Sequence, residues 1–459
     1  MEQMTAPHHA VARGAPQLRA SVIAALGAPG RRFGKWRQGR FVRLMTVLTI
    51  FGPGLIATSA GNDAGGIVTY AADGAQYGYS LLWMMVIVTV CMAVVQEMCA
   101  RMGAATGQGL SDLIRERFGV RGAAFAMLTL LVANTLITIS EFAGVAAASE
   151  IFGIPKYLTV PIAAVGIWLL VTRGTYGKVE KIFLVMTLAF FAYPIAAILA
   201  QPDWGAVLHS TVIPSFPQQH LSTYLLLFVG TVGTTITPYM QLYVQSAVAE
   251  KGVDMAHFGA ERIDVYVGAI FGDLISAFII IATAATLFVH SHGQGVVITD
   301  AKQAALALTP FAGSFATVLF AVGLVGAALL AAAVLPLATA YSISESFGFE
   351  RGVSRSFSEA PVFNGVFTGM LAFGALVTLI PGLPLIQLLI IVQVINGVLL
   401  PIELVFILRL INDPRIMGKY VNRPVQNMIA WGTTVLLTAL CAVMIAAIAL
   451  PLVGIPFLA

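Results

Sequence analysis

The 459-residue chain is 58% hydrophobic, only 10% charged and has a mean hydropathy of +0.90, which excludes an ordinary soluble domain with charged helix faces. A net charge of +4 and a pI near 9.0 do not point to nucleic acid, because the basic residues sit between apolar stretches rather than in one patch. The sequence carries no Walker loop, nucleophile elbow or metalloprotease helix, so an enzyme reading has no residues to stand on.

Residues 1–43 read as a disordered basic tail, with Arg13, Arg19, Arg31, Arg32, Lys35, Arg37 and Arg40 scattered among Gly, Pro and Ala. They lack the apolar core and small-residue cleavage site of a signal peptide. Residues 44–454 predict a single all-α integral membrane transport domain. Apolar spans of roughly 20 residues, each long enough to cross a bilayer, recur along it. They fall near 44–72, 80–102, 122–150, 157–173, 181–200, 222–248, 263–289, 313–344, 362–382, 385–409 and 427–452. All of the 25 Lys and Arg except Lys156 and Lys302 fall on one side of this eleven-span layout. The positive-inside rule then places the N-terminus in the cytoplasm and the C-terminus outside, as expected of a multi-pass protein of the cell (inner) membrane. Cys91, Cys99 and Cys441 fall within spans without paired spacing, so neither a disulfide nor a zinc motif is expected.

Two spans are interrupted. The first contains Gly52-Pro53-Gly54 and then Ala60-Gly61-Asn62-Asp63-Ala64-Gly65-Gly66, and the sixth contains Gly230-Thr231-Val232-Gly233-Thr234-Thr235-Ile236-Thr237-Pro238-Tyr239. Gly and Pro are common in membrane helices as packing or kink residues, and one isolated break would carry no more than that. Two breaks loaded with polar atoms, one opening spans 1–5 and one opening spans 6–10, match an inverted repeat of two five-helix halves with an eleventh helix appended. Backbone freed at membrane depth must face protein or a water-filled cavity, so both breaks are expected to line a binding site.

Asp63 is the sharpest residue, because a carboxylate near the bilayer centre costs roughly 2.5–3.5 kcal/mol on insertion scales. A cation is the simplest compensation. Carbonyls near Gly65 and Gly66 and the carbonyls and hydroxyls of Thr234 to Thr237 would complete an all-oxygen site, which suits Mg²⁺, Mn²⁺ or Ca²⁺. A proton, Na⁺ or a substrate ammonium are alternatives. Glu97 and Asp264 lie near cytoplasmic span ends beside Arg101 and Arg262, where ion pairing or gate closure is expected. Glu141 and Asp273 lie deeper and are candidates for a proton or gating network, while Asn396, Pro401 and Glu403 on the tenth span are candidates for the cavity wall. No histidine falls mid-membrane. His290-Ser291-His292 reads as a solvated loop.

On these residues the sequence resembles the NRAMP family of divalent-metal transporters over nearly all of residues 44–452. The likeness is carried by Gly52-Pro53-Gly54, the run from Gly74 through Tyr77-Gly78-Tyr79 to Trp83, Ala104-Ala105-Thr106-Gly107, Arg262-Ile263-Asp264, and Asn412-Asp413 through Met417-Gly418 to Val421-Asn422. The resemblance implies a LeuT-like fold with ion ligands on spans 1 and 6. The family's Asp-Pro-Gly-Asn falls on Asp63-Ala64-Gly65-Gly66, and its Ala-x-x-Met-Pro-His falls on Thr234-Thr235-Ile236-Thr237-Pro238-Tyr239. The family's span 10 glutamine falls on or near Leu399, with Asn396 one turn away, and its span 3 glutamate matches Glu141.

A thioether has thus become the Thr237 hydroxyl and a histidine has become Tyr239. Loss of the soft ligand resembles the NRAMP-related magnesium transporters, which also carry Mn²⁺, and loss of the histidine argues against proton coupling. The expected cargo is Mg²⁺, then Mn²⁺, bound by Asp63, Gly66, Thr234 and Thr237, with Tyr239 and Asn396 nearby. No cofactor, nucleic acid or obligatory protein partner is expected beyond the lipid bilayer and the transported ion. A small organic substrate such as an amino acid or amine is the alternative cargo, and a membrane sensor without transport is a third reading.

Overall fold

In the computed structural model, residues 62–173, 192–216, 221–299, 303–304, 314–353 and 355–452 are described below. The basic tail, Gly52-Pro53-Gly54, Ala60-Gly61, most of the predicted fifth span and Lys302 lie outside them. Every regular element among the described residues is helical. Among the described residues nine helical stretches, with the two helices of Leu221–Glu250 counted as one, are long and apolar enough to cross a membrane.

Helix α1 (Ala64–Tyr77) is the C-terminal part of the first predicted span and runs five residues beyond its predicted limit at residue 72. It is followed by α2 (Leu82–Thr106), α3 (Leu110–Ile151), α4 (Lys156–Arg173), and two short helices, α5 (Ala192–Leu199) and α6 (Trp204–Val212). The sixth span is α7 (Leu221–Thr235) and α8 (Pro238–Glu250). Then come α9 (Phe258–Thr283), which continues into a π-turn at Ala284–Phe288, α10 (Ser314–Phe347), α11 (Pro361–Thr378), α12 (Leu385–Ile411), the short α13 (Pro414–Met417) and α14 (Pro424–Leu452).

The contacts pair helices of the first half with their counterparts in the second. Helices α1, α2, α7, α8 and α9 pack on one another as one set, and α3, α4, α10 and α11 as a second, with α12 against α1, α3 and α7. Spans 1, 2, 6 and 7 therefore pair with their counterparts, as do 3, 4, 8 and 9, which is the inverted repeat of a LeuT-like fold. Burial separates centre from rim. The apolar window of α10 is 78% buried inside the protein, against 22% for α4, whose outward face is left for lipid.

Local chemistry explains several boundaries. Gly119 (φ 72°) takes a left-handed conformation within α3, so the membrane-spanning part begins after it, as the predicted span from 122 implies. Arg101 of α2 donates to the Tyr420 and Val421 carbonyls (2.7 and 3.2 Å) and to Asn422 Oδ1 (2.6 Å), tying α2 to the turn before α14. Glu97 receives Arg101 at 3.2 Å and Arg262 of α9 at 3.1 Å, so the predicted ion pairing at that end is present. Asp413 caps α13 through the Arg415 amide and accepts from Arg117 at 2.7 Å. Those donors hold its carboxyl below the usual range. Lys156 donates to the Thr378 and Ile380 carbonyls (2.9 and 2.8 Å), satisfying the C-terminus of α11.

Candidate functional site

Asp63 is the N-cap of α1 and is fully buried. A helix start leaves several N–H groups without intrahelical partners, and here two carboxylates meet them. Asp63 Oδ1 accepts from Gly66 N, Glu141 Oε2 of α3 accepts from Ala64 N at 3.0 Å, and the Asp63 carbonyl takes Ile67 N at 3.0 Å. The helix end that the sequence leaves open at mid-membrane is thus closed by its own aspartate and by the predicted glutamate. Close approach of α3 is possible because residue 144 is glycine, where a Cβ would collide with Ala64.

The break in the sixth span has a simpler cause. Pro238 disfavours helical backbone at Thr237, which sits at φ −80°, ψ 141°, and supplies no N–H of its own at the first position of α8. Thr234, at the end of α7, points its hydroxyl at Asp63 Oδ1 (3.4 Å). Thr237 is fully buried, and its hydroxyl makes no well-formed hydrogen bond. Met240, the first thioether of α8, is turned away and receives the Gln96 amide at 3.5 Å. Among the described residues no three His, Cys, Asp or Glu side chains cluster as a metal site.

The third wall is α12. Gln393 Nε2 donates to both oxygens of Asp63, at 2.9 and 2.8 Å, and its Oε1 has no partner. This corrects the sequence expectation, which put the family glutamine on or near Leu399. Leu399 lies six residues further on and lines a small cavity with Pro238, Leu242 and Glu403. Gln393 reaches Asp63 because residue 65 is glycine, where a Cβ would strike the Gln393 amide. Sequence reasoning missed Gln393 although one signal was present, an amide buried in an apolar run one turn before Asn396. Asn396 itself donates to the Gly233 carbonyl at 2.6 Å, fastening α12 to α7 where Gly233 and Gly397 touch, and does not contact Asp63.

The remaining predicted residues fall in three places. Tyr239 is fully buried in the first turn of α8 next to Thr237. Asp273 lies on α9 and faces an open crevice of about 410 Å³ lined by α2, α6 and α9, apart from the Asp63 site. Between them, Tyr70 of α1 shares its hydroxyl with Thr235 (2.9 Å), while Ser276 of α9 donates to Asn62 Oδ1 (2.7 Å) and Asn62 to the Gly272 carbonyl (3.0 Å). Both breaks are therefore anchored to their neighbours by buried polar bonds. Asp264 is buried near the start of α9, whereas Arg262 is committed to Glu97.

The arrangement gathers two carboxylates, Asp63 and Glu141, one amide and a threonine hydroxyl where α1 meets the break between α7 and α8. The divalent metal cation transporter MntH of Deinococcus radiodurans is 30% identical over 406 residues, covering 86% of this chain and 88% of that protein. The Eremococcus coleocola manganese transporter, solved with an aromatic bis-isothiourea substituted compound, superimposes with a TM-score of 0.70 at 22% identity over 91% of this chain and 90% of that one. MhsT in complex with L-phenylalanine gives a TM-score of 0.59 at 14% identity over 91% and 100%. These two likenesses establish a shared fold. The model of the Nramp family, described as natural resistance-associated macrophage protein-like, matches residues 54–447, nearly the whole membrane domain, and the chain belongs to that family.

Proposed function

We propose that this protein is an alternating-access transporter that imports a hard divalent cation, Mg²⁺ and also Mn²⁺, without moving protons in exchange. Divalent-metal transport is what the matching relatives are named for. The observation that carries the choice of ion is the company Asp63 keeps, namely Gln393 and Thr234, with the nearest thioether of α8 turned towards Gln96. Oxygen donors without sulfur or imidazole favour ions that bind oxygen and keep part of their water.

In this reading the ion replaces the Gln393 amide protons at Asp63. Rotation of that amide about its last bond turns Oε1, now without a partner, towards the ion. Gly66, the Thr234 carbonyl and Thr237 complete the shell directly or through water. Tyr239 occupies the position from which a histidine would exchange protons, and a phenol does not titrate near neutrality. The N-terminus is cytoplasmic, as the distribution of Lys and Arg requires. A divalent ion crossing 100 mV gains about 4.6 kcal/mol, on the order of a thousandfold accumulation, so uptake needs no second gradient.

The test is competition among Mg²⁺, Mn²⁺, Ca²⁺ and Zn²⁺ for uptake into proteoliposomes with internal pH recorded. Mg²⁺ and Mn²⁺ are expected to enter without acidification. Zinc preference, or acidification in step with uptake, would overturn the reading. Failure of every divalent ion alongside stabilisation by an amino acid would favour an organic cargo.

A further inference from the structure

Asp73 is a second fully buried carboxylate on α1, ten residues beyond Asp63, and the site described above does not use it. Its Oδ2 accepts from Thr231 of α7 at 2.5 Å, and its Oδ1 has no partner. Of the helices packed on α1, α7 brings Tyr224 near Asp73 and α1 itself brings Tyr77. Among the described residues no charged side chain of α3, α9, α10 or α12 acts on it. At the next residue, Gly74 lies against Thr283 and the Ile280 carbonyl of α9, where a Cβ would collide, so α1 and α9 are in close contact here. Above it, Tyr77, Tyr224, Phe216, Phe228 and Trp83 form a chain of ring contacts with centroids 5.2 to 6.3 Å apart. The Val296 amide donates to the Ala75 carbonyl at 2.9 Å, closing the helix end.

An ionised carboxylate that is fully buried with a single protein donor and no charged neighbour among the described residues is among the most costly groups to bury. The neutral acid is the form this geometry accommodates. We propose that Asp73 is a proton-binding site that holds α1 and α7 together at the sealed end of the half-helices, so that a proton favours closure and its loss favours opening. Opening lets water reach the carboxylate, which ionises and then resists reburial. Raising the pH on that side shifts the balance towards the open form, because the closed form binds one more proton. The proton is a regulator of access and is not carried with the metal. Assigning that side to the outside rests on the orientation proposed above, whereas the switch does not.

Hydrogen exchange of α1 residues 69–77 in the purified full-length, metal-free protein reads the opening without transport. After correction for the intrinsic rate, exchange is expected to rise towards about tenfold per pH unit over part of the range from pH 5.5 to 8.5, the limit for one linked proton. In Asp73→Asn, which keeps the size of the side chain and cannot ionise, exchange is expected to stay slow and flat, and Asp73→Ala serves as a second variant. Exchange independent of pH in the native protein, or an Asp73→Asn slope equal to the native one, would overturn the proposal. So would a second Mn²⁺ per chain that Asp73→Asn removes. Absence of Mn²⁺ and Mg²⁺ uptake with the exchange slope intact would instead sink the proposed function and leave this switch standing.

Discussion

Gly65 shows what the site demands of a single residue, because the space its side chain would take is filled by the Gln393 amide. Gly65→Ala is expected to displace Gln393 and, by removing the Oε1 that the proposed function turns towards the ion, to weaken Mn²⁺ affinity by about tenfold, on the order of one lost polar contact to a charged group. In the double variant with Gln393→Ala the added loss should vanish, a coupling that titration of each variant by calorimetry would reveal. Asp63→Ala is expected to abolish both binding and uptake, and unchanged uptake would remove the site altogether. Asp63 was legible in the sequence because a mid-membrane charge is expensive and needs a reason. Gln393 was not, since an uncharged amide costs little enough to pass as packing. Asp73 escaped for another cause, the predicted span ending at residue 72, just short of it.

At the scale of elements, the two breaks and nearly all span limits followed from Gly, Pro and apolar run length, and the structure differs mainly in how helices meet. The contact of Gly233 with Gly397 depends on two small residues one hundred and more positions apart, a pairing that composition does not encode. Gly233→Val is expected to wedge α7 from α12 at a cost of about 1–3 kcal/mol, seen as lower thermal stability in detergent, and to reduce uptake more than Gly166→Val on the rim of α4, where a Cβ meets nothing. The π-turn after Thr283 was equally invisible, because one extra residue per turn leaves no mark on hydropathy. Arg101, buried between α2 and the turn at Tyr420 to Asn422, gives the Val421-Asn422 motif its physical role. Arg101→Ala leaves Glu97 with Arg262 but strands the Tyr420 to Asn422 acceptors, and is expected to cost about 1–3 kcal/mol, measurable as loss of monodisperse protein on heating.

For the molecule as a whole, the proposed uptake driven by voltage alone makes a prediction that no single residue does. Collapsing an inside-negative potential across the proteoliposome should reduce Mn²⁺ accumulation from on the order of a thousandfold to near unity, with no change when a pH gradient is imposed at fixed voltage beyond its effect on rate. The fold was legible because bilayer thickness fixes span length. The repeat itself was legible only as two breaks, whereas the packing that pairs α1 and α2 with α7, α8 and α9, and α3 and α4 with α10 and α11, is a matter of contact that the linear sequence does not display. Equivalent loops of an inverted pair face opposite compartments. The connection between α2 and the membrane part of α3 carries Arg115, Arg117 and Arg121, while its counterpart between α9 and α10 has only Lys302. Insertion therefore asks for basic residues in one loop and few in the loop that the repeat makes its equivalent, so the two halves must differ in sequence where they meet the water.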